Sequence, residues 1–337
     1  MEESFVMRRP ANSAVTRVLC ARLDEVLTGV YLALLVGLGI WRGAPIFEDI
    51  RSSGLAWRAL QFMGMGIFMS ALFFRARLVG FLRDWLPFVL ALMTYEGLKH
   101  MHATALTTAL GIHPIDGFLS GMDESLFGGR ASDIAGRIIG GNHFVLSALK
   151  LFYAGYYFLP GCVLGYLYFF ADQAKFFLVR RAVVICLYGG YLMYVLLPAA
   201  GPEFDVARLG HAPAGVLHAY SYAMANLRYQ FDCFPSLHTA LPWALTMTSW
   251  PFLPKLMRAG LVTCAVGSTA AAVGLGFHYG TDLIGGFAWA AIVVWLTHWT
   301  TRKSSSSAGR KSESTTASIA SGSNSDEVVP GTAVPRD

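Results

Sequence analysis

The chain has 337 residues, of which 55% are hydrophobic and only 14% are charged. A soluble domain carries about 25% charged residues, so this composition excludes an ordinary soluble globular fold. The net charge of +5 comes without a basic run interleaved with aromatic residues, which argues against a nucleic-acid partner. Lysine and arginine set the topology of membrane proteins, and we assign the excess charge to that role.

Long apolar segments follow one another along the chain, and most approach the roughly 20 residues that a helical membrane span requires. They predict an all-α polytopic bundle of about eight transmembrane helices. The segments cover residues 26–41, 55–74, 78–98, 144–171, 177–200, 237–253, 256–275 and 282–300. The second and third are separated only by residues 75–77, which predicts a tight helical hairpin.

These segments divide the chain into four regions. We expect a cytoplasmic N-terminal segment (1–25), accessory transmembrane helices (26–98), a membrane core (99–300) and a cytoplasmic tail (301–337). The tail is rich in Ser, Thr and Gly and has almost no apolar content. Such a segment cannot bury enough surface to offset its ordering entropy, so we predict that it is disordered.

The distribution of positive charge predicts the topology. If the N-terminus is cytoplasmic, the inner loops and termini hold 17 Lys and Arg residues, and the outer loops hold eight. This bias places both termini in the cytoplasm and the polar loop 99–143 on the outer face. Long ordered loops tend to be functional, and we expect a re-entrant or interfacial helix in this one.

The first motif that could carry chemistry is FPSLHT, residues 234–239, at the start of the sixth segment. Proline is favoured at the first helical position, so we expect Pro235 to begin the helix. The free N–H groups and the positive dipole of that first turn attract an anion. Ser236 adds a hydroxyl donor and His238 can supply a proton.

The second motif is GFHYGTD, residues 276–282, at the start of the last segment. His278 and Asp282 are four residues apart and therefore share a helix face. A carboxylate on one imidazole nitrogen fixes the tautomer and raises the basicity of the other nitrogen, which makes a histidine a nucleophile or a base. One helical hairpin separates the two motifs, so we expect them to meet on the outer face.

PSxH followed by HYxxD resembles two signatures of the type 2 phosphatidic acid phosphatase superfamily. The form FPSLH…FHYGTDLIGG is similar to the inositol phosphorylceramide synthase branch of that superfamily. The segments DESLFG (123–128) and LPAAGP (197–202) add to the resemblance, which covers roughly residues 110–300. The resemblance implies a six-helix catalytic core preceded by two extra spans, so that the membrane core at 99–300 would be phosphatase- or phosphotransferase-like.

The resemblance implies a role for each matching residue. His278 would attack phosphorus and form a phosphohistidine, and Asp282 would orient and stabilise it. His238 would protonate the leaving alcohol and later activate the acceptor. The expected catalytic residues are His278, His238 and Asp282, and the expected substrate-binding residues are Ser236, Arg228 and Tyr279.

Two cations of the superfamily's phosphatases are missing. Residues 190–198 contain no basic residue where those enzymes carry a Lys…Arg-Pro signature, and Ala272 stands where they carry an arginine. Phosphoryl transfer depends on charge stabilisation, so the absence of these two cations weakens the phosphatase interpretation. The resemblance implies that the phosphotransferase branch lacks both cations too, and their absence therefore favours that branch. Arg228 is our first candidate for a replacement, followed by Arg208 and Lys150.

Other polar residues remain without a settled role. His113, Asp116 and Asp123 lie in the outer loop and either contact a head group or, for the two aspartates, cap short helices. The five cysteines show no disulfide or metal spacing, and we assign them no function.

The sequence therefore predicts a lipid phosphotransferase with a lipid phosphate donor and a lipid or water acceptor. A lipid phosphate or polyprenyl pyrophosphate phosphatase of the same superfamily is the alternative, and we expect neither cofactor nor metal. A metal-dependent enzyme is also conceivable from two histidines and a carboxylate, although a helix N-terminus repels cations. A transporter, a scaffold or a non-catalytic homologue is the third class.

Overall fold

A computed structural model describes residues 22–41, 77–99, 107, 110–203 and 229–322. These residues form helices and no strand, which confirms the predicted all-α class. The helices are α1 (Leu23–Trp41), α2 (Arg77–Lys99), α3 (Asp116–Phe127), α4 (Ala131–Ile139), α5 (His143–Gly155), α6 (Leu159–Phe170), α7 (Gln173–Leu196), α8 (Leu237–Ser249), α9 (Lys255–Gly274) and α10 (Gly280–Gly322), with a 3-10 turn (Trp250–Phe252) after α8.

Among the described residues, three helices are long and apolar enough to cross a membrane. They are α7, α9 and the part of α10 from Gly280 to Arg302. The prediction of eight spans is thus not confirmed, and its second segment (55–74) and the hairpin at 75–77 lie outside the described residues, except for Arg77 at the start of α2. The polar loop 99–143 contains α3 and α4, in agreement with the expectation of helical structure there.

The predicted segment 144–171 is two helices and not one. α5 ends at Gly155, residues 156–158 form a turn, and α6 begins at Leu159 with Pro160 in its first turn. A proline inside a longer helix would remove one backbone hydrogen bond and clash with the preceding turn. The break therefore places Pro160 in the first turn of a new helix, where proline is tolerated.

Helix α7 lies at the centre of the compact unit formed by Leu23–Thr297. It packs against α1, α2, α6 and α8, and most of its residues are buried. Apolar residues on most sides of a helix are typical of a helix in a protein core or a membrane span. At its N-terminal part, the buried Arg180 guanidinium contacts the Asp24 carboxylate over 2.6 Å and so connects α7 to α1.

The two motif-bearing helices are joined by α9. α8 begins at Leu237 with Ser236 at the N-cap, so Pro235 lies before the helix and not at its first position as predicted. α9 packs against α8 and α5. After α9, a turn through Gly276, whose φ is +84°, leads into residues 277–279 and then α10.

The described part of the tail belongs to α10, and the disorder of residues 301–337 stays a prediction. Residues 298–322, which belong to a second compact unit, continue α10 as far as Gly322. Extending an existing helix avoids the cost of nucleating a new one, and no proline occurs in the tail before residue 330. Residues 323–337 lie outside the described part of the chain.

Candidate active site

Two histidines predicted from the motifs lie side by side. His238 is in the first turn of α8, His278 lies just before α10, and their ring centroids are 5.7 Å apart. Both side chains are buried, with 9% and 2% of their surface exposed. The start of α8 thus meets the start of α10, as expected from the single hairpin that separates them.

The predicted partner of His278 is present, together with a thiol that the sequence did not reveal. His278 Nδ1 lies 3.5 Å from Asp282 Oδ2. The Cys233 thiol donates to the same oxygen over 2.6 Å, and its sulfur is 3.5 Å from His278 Nδ1. The Tyr279 N–H also donates to Asp282 Oδ2, over 2.9 Å. Because Nδ1 faces the carboxylate, Nε2 is the nitrogen of His278 that remains for chemistry.

Cys233, His278 and Asp282 are also the described residues whose ligand atoms could converge on a metal ion, since these atoms lie within 4.8 Å of one another. A tetrahedral zinc would hold a sulfur and a carboxylate oxygen roughly 3.6 Å apart. The observed distance between Cys233 Sγ and Asp282 Oδ2 is 2.6 Å. The geometry fits a donor and its acceptor better than two ligands of one metal.

His238 is held by aromatic rings around its side chain and by a hydrogen bond to its backbone carbonyl. The Tyr153 ring stacks on the imidazole with centroids 4.0 Å apart and an interplanar angle of 15°. Tyr156 contacts the same imidazole at 4.3 Å, and Tyr157 approaches it edge-on at 6.1 Å. The Ser268 hydroxyl, from α9, donates to the His238 carbonyl over 2.7 Å. These contacts fix the ring beside His278.

Both histidines line a cavity of about 250 Å³. Its wall also contains Asp232, several leucines and six tyrosines. The tyrosines are Tyr95, Tyr153, Tyr156, Tyr157, Tyr191 and Tyr194. A substrate in this cavity would contact both imidazoles and would otherwise meet mainly aromatic and aliphatic groups.

Two of the predicted substrate-binding residues are buried but are not part of this wall. Ser236 is fully buried, its N–H donates to the Asp282 carbonyl over 3.3 Å, and its hydroxyl accepts from Thr239 Oγ1 over 3.4 Å. Tyr279 is fully buried, and its hydroxyl donates to Asp116 Oδ1 over 3.3 Å. Both therefore connect parts of the protein around the two histidines.

The two aspartates of the outer loop bind backbone N–H groups near the site. Asp123 is fully buried and accepts from the N–H groups of Gly280 and Thr281, at the start of α10, over 2.9 and 2.8 Å. It also accepts from the Ala131 N–H at the start of α4 over 3.0 Å. Asp116 accepts from the N–H groups of residues 200 and 201 over 3.0 and 2.8 Å. Asp123 therefore caps helices, as the capping alternative predicted, and these are the long α10 as well as the short α4. His113 is exposed.

The replacement cation is not identified among the described residues. Arg228 and Arg208 lie outside them. Lys150 is half-buried on α5, one turn before Tyr153. Ala272, which stands where related phosphatases would carry an arginine, is fully buried, and its carbonyl accepts from the His278 N–H over 3.0 Å.

The described residues form helices, three of which are long and apolar enough to cross a membrane. Two histidines and a carboxylate lie together at the start of α8 and α10. These are the characteristics of a membrane-embedded enzyme. Residues 118–296 match the family model of the PAP2 superfamily. The match covers more than half of the chain, so the protein belongs to the PAP2 superfamily. Membership suggests a phosphatase or phosphotransferase of lipid phosphates. No curated protein and no solved structure matches the chain.

Proposed function

We propose that this protein is a membrane-embedded lipid phosphotransferase that acts through a phosphohistidine on His278, as the resemblance to inositol phosphorylceramide synthases implies. One observation carries the proposal. His278 has its Nδ1 3.5 Å from a buried carboxylate, and it shares a cavity with His238. A nucleophile with an orienting carboxylate and a nearby acid or base is the arrangement that covalent transfer requires.

In the first half-reaction, His278 Nε2 attacks the phosphorus of the donor lipid and forms a P–N bond. The P–O bond to the lipid alcohol breaks, and His238 gives its proton to the departing oxygen. The positive charge that develops on the His278 ring is stabilised by Asp282.

In the second half-reaction, the hydroxyl of an acceptor lipid enters the cavity. His238, now neutral, takes the hydroxyl proton, and the oxygen attacks phosphorus. The P–N bond breaks, and His278 returns to its starting state with the proton back on His238.

The burial of the site favours a lipid acceptor over water. His278 and His238 expose only 2% and 9% of their surface, and the cavity in front of them is lined mainly by aromatic and aliphatic side chains. Excluding water from such a site protects a reactive intermediate against hydrolysis. A phosphatase would need water to reach the same phosphohistidine.

The charge bias of the loops supports a site on the extracytoplasmic face with both termini in the cytoplasm. Ile138, on α4, is 80% exposed and suits a topology test. With the native cysteines replaced, Ile138→Cys should react with a membrane-impermeant maleimide added to intact cells. Ser325→Cys, in the tail, should react only after permeabilisation. The reverse pattern would contradict the topology.

The function is tested on purified protein in lipid–detergent micelles. Phosphatidylinositol, phosphatidic acid and polyprenyl pyrophosphate are each supplied with and without ceramide or diacylglycerol, and new phospholipid and free phosphate are quantified. New phospholipid that vanishes in His278→Ala would support the transferase. Phosphate release alone, also lost in that variant, would make the protein a phosphatase. Activity that survives His278→Ala would contradict the phosphohistidine mechanism.

A further inference from the structure

Three tyrosines that surround His238 come from one short stretch of the chain. Tyr153, Tyr156 and Tyr157 are spaced i, i+3 and i+4, which places them on one face of a helix. α5 ends at Gly155, but Tyr156 keeps helical backbone angles, with φ of −48° and ψ of −42°. The shared face therefore continues into the turn after α5, and its rings contact the imidazole in the first turn of α8.

Two of these tyrosines present ring faces to the imidazole of His238. The Tyr153 ring is nearly parallel to it, with centroids 4.0 Å apart and an interplanar angle of 15°. The Tyr156 ring is tilted by 37° at 4.3 Å, whereas Tyr157 stands edge-on at 6.1 Å. The first two distances are well inside the roughly 6 Å at which an aromatic face attracts a cation. Tyr153 and Tyr156 thus contact His238 as two ring faces contact an organic cation.

Helix α9 holds both partners of the Tyr153–His238 stack through two adjacent residues. The Ser268 hydroxyl donates to the His238 carbonyl over 2.7 Å. At Gly267, an added Cβ would lie 2.4 Å from the Phe152 ring, so Phe152 packs directly on the backbone of α9. Tyr153 follows Phe152 in α5 and is itself buried. The stack is therefore set by the packing of α5 and α8 on α9.

The proposed reaction requires a charged imidazole in a buried place. His238 exposes only 9% of its surface, and it must carry a proton when the donor lipid binds. Removing a charged group from water is unfavourable unless its charge is compensated. Aromatic faces compensate a cation, and they do so more strongly where water is excluded. Because tyrosine is neutral below about pH 10, a ring face stabilises the imidazolium without adding a negative charge that would repel the phosphate.

We propose that Tyr153 and Tyr156 are positioning residues for the general acid, whose ring faces stabilise the protonated form of His238 and hold it beside His278. This inference rests on the proposed function and adds two residues to its machinery. The proton that the rings help to retain passes to the departing lipid oxygen as the P–O bond breaks. It returns to His238 from the acceptor hydroxyl, when that oxygen attacks phosphorus and displaces His278.

Other titratable groups face His238 from the elements packed around it. They share the cavity wall with it and are His278, Tyr157, Tyr95 on α2, Tyr191 and Tyr194 on α7, and Asp232 before α8. His278 is neutral when it attacks phosphorus and adds no charge, whereas the Asp232 carboxylate also favours an imidazolium. Substituting Tyr153 or Tyr156 leaves this carboxylate in place, so such variants measure the contribution of the ring faces alone.

The protonation of His238 is measured first, without turnover. Diethyl pyrocarbonate modifies neutral imidazole, so the pH at which the His238 peptide reaches half of its maximal reactivity, followed by mass spectrometry, reports the loss of the proton. In Tyr153→Leu and Tyr156→Leu this midpoint should move to lower pH, by about one unit if proton binding is about tenfold weaker. Tyr153→Phe keeps the ring face and should restore the wild-type midpoint.

Two controls accompany this titration. The exposed His113 should keep its midpoint in every variant, and Tyr166→Leu, at a half-buried tyrosine on α6 outside the cavity wall, should leave His238 unchanged. Thermal melts establish that each variant folds. Tyr153 and Tyr156 belong to different core clusters, so the failure of one variant to fold leaves the other available. An unchanged His238 midpoint in either folded leucine variant would overturn the inference.

Turnover separates this inference from the proposed function. In the pH profile of kcat, the alkaline limb reports the proton on His238 and the acid limb reports a neutral His278. Tyr153→Leu should move the alkaline limb to lower pH by about one unit and leave the acid limb in place. An equal loss of kcat at every pH would show that the rings only shape the cavity, and would overturn the inference.

The two measurements together assign any failure. A shifted His238 midpoint with no His278-dependent turnover on any lipid would support the role of the rings and overturn the proposed phosphotransferase. His278-dependent turnover with an unshifted midpoint would do the reverse.

Discussion

Cys233 Sγ lies 2.6 Å from Asp282 Oδ2, the same oxygen that faces His278 Nδ1 at 3.5 Å. The thiol is fully buried and belongs to the segment just before α8. The other carboxylate oxygen, Oδ1, is buried and has no hydrogen-bond partner among the described residues. The orientation of Asp282 toward His278 therefore depends on Cys233 and on the Tyr279 N–H.

Removing the thiol should impair the chemical step. A hydrogen bond to a charged group contributes roughly 1.5–3 kcal/mol, so Cys233→Ala should lower kcat by about tenfold or more and leave KM nearly unchanged. Cys233→Ser keeps a donor and should retain most of the activity. Steady-state kinetics on the preferred donor lipid provide the measurement.

Cys264→Ala is the matched control, because Cys264 is a half-buried residue of α9 with no contact to Asp282. It should behave as wild type. If Cys233→Ala were equally active, the thiol would have no part in positioning the carboxylate.

Asp123 should be required both for stability and for activity. It accepts three N–H groups and the Thr281 hydroxyl. In Asp123→Asn, the NH₂ group of the new side chain would face some of these N–H and O–H groups, which would then lack an acceptor. Leaving buried donors unsatisfied costs about 1–3 kcal/mol each, so the melting temperature should fall. kcat should fall with it, since the cap is two residues from His278.

Asp133→Asn tests whether the effect is specific. Asp133 lies in the first turn of α4 and is exposed, so its substitution should change neither the melting temperature nor kcat. A melting temperature of Asp123→Asn equal to that of Asp133→Asn would refute the capping role.

The parts of the site that the sequence predicted are local in the chain. His278 and Asp282 are four residues apart. The single helical hairpin between the two motifs brings His238 to them. The structure indeed places the three side chains together. The helix break at residues 156–158 was missed by the prediction of one segment over 144–171, although Gly155 and Pro160 flank it and both favour a helix boundary.

The remaining parts depend on contacts between distant residues. Cys233 is 49 residues from Asp282, and Asp123 is 157 residues from Gly280. No local periodicity identifies such partners, and a lone cysteine in a polar loop has no distinguishing signal. The tyrosine wall comes from several helices, so only their packing shows that these rings face one cavity.

Stability should fall at high pH through Tyr229. Burial, together with the neighbouring Asp232 carboxylate, raises the pKa of Tyr229 to about 12, whereas an unfolded tyrosine titrates near 10. Its contribution to stability is complete below about pH 10. It is lost as the pH rises toward 12, because the unfolded chain then releases a proton that the folded chain keeps.

Thermal melts between pH 9 and pH 11.5, roughly the window set by these two pKa values, measure the effect. The buried Tyr229 hydroxyl has no hydrogen-bond partner among the described residues, so Tyr229→Phe should fold normally at neutral pH and lose less stability at high pH. Tyr166→Phe controls for removing a hydroxyl elsewhere. Identical pH profiles for wild type and Tyr229→Phe would show that Tyr229 does not contribute.

Gly286 should tolerate no side chain, because it lies where α10 crosses the start of α8. A Cβ at this position would lie 2.7 Å from the Ser236 carbonyl oxygen and 2.9 Å from Thr239 Cβ. The carbonyl belongs to the backbone, so Gly286→Ala must separate α10 from the start of α8, and with it His278 from His238. A misplacement of reacting groups by about 1 Å can cost roughly 100-fold in rate, and we expect a loss of kcat/KM of that order. Gly260→Ala, on α9 with open space around it, should be fully active. Full activity of Gly286→Ala would mean that the crossing can relax without moving the histidines.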